Sequence, residues 1–227
     1  MNEQLALMQL ADSFFPSGSF TVSHGLEYLV QTKQIKDVAQ LKTFLQIILH
    51  NKIGSCDLVA LIHAYRGSQN NNILTIIDAD RQLFSQTLVA KNRQTMQKSG
   101  RALLMVTRQI WQDEKLEILQ HNLADNRFYC LHPIVFGVVA QIAEIDEQNT
   151  ALAFLHSFIT SLLGAAIRLG VVGHIQTQKM LLSLSSDMTN AYSQARSLDI
   201  NRMWSCTPTI DLAQMQHQQL KTRLFAS

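Results

Sequence analysis

Apolar residues recur with the period of a helix along most of this chain. Leu41, Phe44, Leu45, Ile48 and Leu49 stand at i, i+3, i+4, i+7 and i+8, with Lys42 and Gln46 on the other side, which is the pattern of an amphipathic α-helix. Gly54-Ser55 predicts a break. Beyond it Asp57 favours a new helix start, and Leu58 to Ile62 is apolar on nearly every side and so expected to be buried. The polar run Arg66 to Asn72 ends that helix. Ile73 to about Trp111 then holds no proline and one glycine, Gly100, which predicts two helices or one long helix disturbed near Gly100. Pro133 suits a helix's first turn, where its missing N–H costs nothing, and Ile134 to Ala143 follows as an apolar helix. Ala151 to Leu169, closed by Gly170, is predicted helical, as are about Gln176 to Ser185, Asp187 to about Leu198, and Ile210 toward Leu224 after Pro208. No stretch alternates with period two. Nine glycines and three prolines punctuate 227 residues, so the fold class expected is all-α, a single-domain bundle of roughly eight to ten helices.

Composition narrows the partners. The chain is 47% hydrophobic and 16% charged, against about 25% charged in an ordinary soluble domain. A neutral polar surface costs less to desolvate than a charged one, which is compatible with a large protein interface. A formal net charge of +2 argues for no global association with nucleic acid. Cys56, Cys130 and Cys206 are odd in number and lie about 75 residues apart, which fits neither a disulfide framework nor a CxxC metal knuckle. A reduced, cytoplasmic setting is expected. The first residues do not read as a secretory signal. The apolar stretch Phe154 to Ile175 is interrupted by His156, Arg168 and His174, which argues against a membrane span.

Catalytic signatures are absent. No GxxxxGK[ST] or GxGxxG occurs, so the chain is not itself a P-loop nucleoside triphosphatase. Ser17, Ser19 or Ser23 beside His24 lacks a nucleophile elbow, and the eight histidines contain no HxxxH or HExxH pair. No catalytic, cofactor-binding or metal-binding residue is therefore assigned, and no cofactor is expected. One charge feature stands out. From Arg81 to Gln112 there are six basic residues and no acid, and Arg93, Arg101 and Arg108 recur at spacings of 8 and 7, close to whole helical turns. Either this is a solvated helix face or a patch for an acidic partner. At the C-terminus, Arg223-Leu224-Phe225 puts large apolar groups where chains usually fray. They dock either on the chain's own core or on another protein.

Four stretches, LMQLADSFFPSGSFTVSHGLE (7 to 27), HPIVFGVVA (132 to 140), AAIRLGVVGHIQTQKML (165 to 181) and PTIDLAQMQHQQLKTRLFAS (208 to 227), resemble in order and spacing the motifs of the urease accessory protein UreF family. The resemblance runs from end to end. It implies a non-catalytic, homodimeric, all-helical scaffold in nickel-dependent urease maturation. Such a scaffold binds the accessory protein UreD, also called UreH, recruits or regulates the GTPase UreG, and acts with them on apo-urease. Nickel is handled by that complex, with none held tightly here.

Carried over by position, the resemblance implies partner-binding roles for Arg223, Leu224 and Phe225 in the tail, with Met215 and His217 in the preceding helix. It implies the same for Pro16, Gly18 and Phe20 in the N-terminal motif. Arg168 and Gln178 match polar positions of the third motif, and Arg93 and Arg101 join the partner-binding set from the basic stretch. Residues 1–25 and 208–227 are thus expected to act as partner-binding extensions. Gln218 and His174 depart from the family, which often has Glu and Gln at those places. An all-helical enzyme, and a metallochaperone holding nickel through His and Cys, stand as alternatives.

Overall fold

Four side chains set helix starts where the polar runs end. Asp37, Asn72, Asp113 and Asp146 each accept a hydrogen bond from an N–H of the turn that follows, satisfying a donor that the helix cannot. The computed structural model describes residues 3–12, 15 and 22–226, and among these every regular element is helical. The α-helices are α1 (Glu3–Ala11), α2 (Leu26–Gln31), α3 (Val38–Ile48), α4 (Leu58–Gln69), α5 (Ile73–Gln86) and α6 (Ala90–Trp111). Then come α7 (Glu114–Ala124), α8 (His132–Ile142), α9 (Glu147–Arg168), α10 (His174–Ser183), α11 (Ser185–Ala195) and α12 (Pro208–His217). A single α-helical domain results, as its periodicity implies.

The centre of the domain is α4, which packs against α5 on one side and α8 on another, while α6 lies on α8. Leu58 to Ile62 are fully buried there. The α4–α8 crossing depends on Gly137, because a Cβ at that position would lie 2.6 Å from the Leu61 carbonyl oxygen. At the periphery of the core, Glu147 of α9 receives two hydrogen bonds from the Arg66 guanidinium, at 2.6 and 2.9 Å, and a third from the Tyr192 hydroxyl. The rods Val38–Gln69 and Glu147–Arg168 are long and apolar enough to cross a membrane, but 78% and 61% of their most apolar windows are buried inside this fold.

One boundary within the core differs from expectation. Gly54-Ser55 makes no break: Leu49–Asp57 is a π-helical segment that joins α3 to α4, and Asp57 makes no side-chain cap. Gly54 serves packing there, since a Cβ would stand 2.9 Å from the Leu49 carbonyl oxygen and 3.0 Å from Ala191 Cβ of α11. Of the two alternatives for Ile73 to about Trp111, two helices are found, divided at residues 87–89. Gly100 lies mid-helix, where a Cβ would fall 1.9 Å from the Cys130 carbonyl oxygen. That segment is pinned by Asp80, whose carboxylate accepts from the N–H groups of Tyr129 at 2.5 Å, Cys130 at 3.3 Å and Leu131 at 2.9 Å.

Candidate functional site

The last helix is placed by unusual backbone chemistry. A π-helix shifts the hydrogen-bond register from i+4 to i+5, and the segment's carbonyls serve neighbours outside it. The Asn51 oxygen accepts from Cys206 N–H at 2.8 Å and the Ser55 oxygen from Trp204 N–H at 3.1 Å. The chain so held then enters α12 at Pro208. α12 lies on Gly25, where a side chain would be strained by the φ of +83° and would crowd Ala213 and Gln214 at 3.1–3.2 Å. Asn92 of α6 donates to the Gln214 side-chain oxygen.

α12 ends at His217, short of the expected Leu224, and the tail folds back onto Glu27 of α2. This carboxylate is wholly buried. Its Oε2 accepts from His217 Nε2 at 2.6 Å and from Phe225 N–H at 3.2 Å, and its Oε1 accepts from Leu224 N–H at 2.7 Å and Gln31 Nε2 at 3.3 Å. Four donors satisfy one carboxylate, which is what a buried charge requires. His217 Nε2 faces an acceptor and so carries the proton. Gln31 also donates to the Thr222 carbonyl.

Phe225 is buried, with the Arg168 guanidinium 4.3 Å from its ring centroid, a cation–π geometry. Thus Arg168, His217, Leu224 and Phe225, predicted from separate motifs, meet at one place. The tail docks on the chain's own core. The same segment leaves Leu212, Met215 and Leu224 exposed, at 60%, 47% and 68%, and Arg223 is exposed beside them in sequence. Leu212 and Met215 share a helix face at i, i+3.

The remaining predicted residues lie elsewhere. Gln178 is exposed on α10. Arg93 sits 5.3 Å from the Phe84 ring centroid and donates to the Thr87 and Leu88 carbonyls, so its guanidinium is engaged in closing α5. Arg101 is exposed, and Arg108 is paired with Glu117 at 2.6 Å. The three arginines therefore do not act alike. Pro16, Gly18 and Phe20 lie outside the described residues.

Glu27 is the residue that the chain's pattern did not single out. It stands in HGLEYLV, where an acid between apolar neighbours on a short helix reads as an ordinary surface group. Among the described residues no three His, Cys, Asp or Glu side chains converge as a metal would require.

The family model for UreF matches residues 35–185. The urease accessory protein UreF of Trichodesmium erythraeum is 55% identical over 227 residues, covering 100% of this chain and 98% of that protein. The UreF of Bradyrhizobium diazoefficiens is 31% identical over 97% of this chain and 90% of its own length, and that of Bacillus sp. strain TB-90 is 26% identical over the whole of both. On the family-model match across about two thirds of its length and on relatives of 55% and 31% identity along nearly all of it, the chain belongs to the UreF family of urease accessory proteins.

Proposed function

We propose that this protein is a cytoplasmic, homodimeric scaffold of urease maturation that performs no reaction of its own. It binds UreD/UreH through the C-terminal tail and the N-terminal motif, and that assembly recruits and regulates the GTPase UreG for nickel insertion into apo-urease. The observation that carries the reading is the tail itself. A buried carboxylate and a stacked arginine hold Phe225 inside, while exposed Leu212, Met215 and Leu224 supply the kind of apolar anchors that protein interfaces bury. A preformed tail loses less entropy on binding than a disordered one. Coupling between the nucleotide state of UreG and nickel release would be worth about 1–3 kcal/mol, the usual range for linked sites.

The test is size-exclusion chromatography with light scattering, first on the chain alone, then with UreD/UreH, then with GTP-loaded UreG added. A dimer that takes up UreG only when UreD/UreH is included supports the scaffold. A monomer that ignores both proteins contradicts it.

A further inference from the structure

A cavity of about 110 Å³ lies between α1, residues 22–24, the π-helical segment, α6, α8 and α9. Phe136, Phe154 and Phe158 supply apolar wall, while Lys52, Asp57, His24 and Asp12 are among its polar groups. Lys52 and Asp57 are only 4% and 5% exposed. Neither joins an ion pair of hydrogen-bonding distance among the described residues, although the Lys52 charge acts on both Asp57 and His24. Asp57 Oδ1 and His24 Nδ1 are buried with no hydrogen-bond partner. A buried ammonium and buried polar atoms without hydrogen bonds are costly unless something pairs them.

The π-helix explains the juxtaposition. Residues five apart on an α-helix of 3.6 residues per turn point well away from one another, but a π turn closes i on i+5. Lys52 and Asp57, five apart within Leu49–Asp57, are therefore brought round toward the same side. Such irregular turns recur at functional sites.

We propose that this cavity binds a small monocarboxylic acid whose apolar body is smaller than an aromatic ring. Its carboxylate accepts from the Lys52 ammonium and from His24 and Asp57, and its alkyl body lies among the three phenylalanines. Burial pushes the Asp57 carboxyl upward, with Lys52 opposing, the direction that favours a carboxyl able to donate over one that repels. A zwitterionic amino acid fits less well, because it would bury a second pair of charges in a largely apolar space. Size sets the other limit: an engineered cavity of about 150 Å³ holds benzene, so this smaller space takes a short branched alkyl group.

The experiment is a calorimetric titration of the full chain with isobutyrate, and with isobutanol as the uncharged body of similar size. Saturable isobutyrate binding with one site per chain is expected, at least about tenfold tighter than isobutanol, as one charge-assisted hydrogen bond allows. K52M, checked for native helicity, should erase that preference, whereas D57N, which keeps a neutral donor, should retain it. F158W fills the apolar end and should weaken both ligands. Absence of saturable isobutyrate binding at millimolar concentration overturns the proposal, as does undiminished isobutyrate binding in K52M or in F158W.

Discussion

Glu27 and His217, 190 positions apart in the chain, meet at 2.6 Å in the protein interior, and the same carboxylate holds the backbone of Leu224 and Phe225. Substituting E27Q keeps the shape but turns a fully accepting carboxylate into an amide that presents N–H groups to donors. The expected cost is about 2 kcal/mol, concentrated in the tail. Amide hydrogen exchange at Leu224 and Phe225 should accelerate while α4 and α8 remain protected; unchanged exchange at those two amides would remove Glu27 from the account.

Phe225 and Arg168 form the outer part of the same clasp. F225A should release the tail with little change in helical circular dichroism, because residues 218–226 contribute no regular helix. R168A, losing an exposed cation–π contact, should cost only about 0.5–1 kcal/mol. An equal loss in both variants, measured by chemical denaturation, would mean that Phe225 is held by something other than burial.

Packing at glycine makes a sharper contrast. G137A drives a Cβ to 2.6 Å from the Leu61 carbonyl oxygen, whereas a Cβ at Gly164 of α9 meets nothing within 4 Å. G137A should destabilise by about 1–3 kcal/mol, and G164A should stabilise by up to about 1 kcal/mol through helix propensity. Melting temperatures that shift in the same direction would refute this account of the α4–α8 crossing.

Acid acts on the fold through buried groups of both kinds, imidazoles and carboxyls. Burial holds His132 down to about 4 and, with Lys52 adding to it, His24 down to about 3, so both are neutral when folded but take up protons near 6.5 when unfolded. Their contribution is present above about pH 6.5 and declines as pH falls toward 4. Asp80 and Asp57 act oppositely: burial raises Asp80 to about 6 against its three backbone hydrogen bonds and pushes Asp57 upward with Lys52 opposing, so their protonation favours the folded state as pH falls. Two imidazoles thus work against two carboxyls, and the share of His132 is isolated by substitution. Compared with the unaltered chain, H132L should lose less stability between pH 6.5 and 4, read from urea midpoints across the range; parallel pH profiles for the two would show that His132 contributes nothing to the slope.

The basic stretch separates by role. R101E, at an exposed position, is expected to weaken association with an acidic partner, with an effect that shrinks at high salt. R93E should instead disturb the α5–α6 connection, because Arg93 binds the Thr87 and Leu88 carbonyls. Partner affinity unchanged by R101E across ionic strengths would reduce that surface to a solvated face.

Periodicity made the core helices legible, since a repeating apolar face is a local property that needs no knowledge of neighbours. α3, α8 and α9 lie within a few residues of where their spacing puts them. α1, α2 and α7 were not read: α2 has only six residues, and the signal for α7 is its Asp113 cap with Glu114 and Glu117 in the first turn. Gly54 misdirected a boundary because it is small for packing, and Gly100 is small for the same reason, which is visible only once Ala191 and Cys130 are seen beside them. The tail's residues were legible as motif, but their common attachment was not. Glu27 is tied to them by contacts nearly the whole chain apart, which no local pattern encodes.

If the docked tail carries the partner contact, the affinity of UreD/UreH for the wild-type chain, F225A and R223A, each checked for native helicity, reports it most directly. A loss of about tenfold or more in both variants with helicity intact is the expected result, the scale of an interface anchor. Wild-type affinity in both would contradict it and place the UreD/UreH contact elsewhere on the molecule.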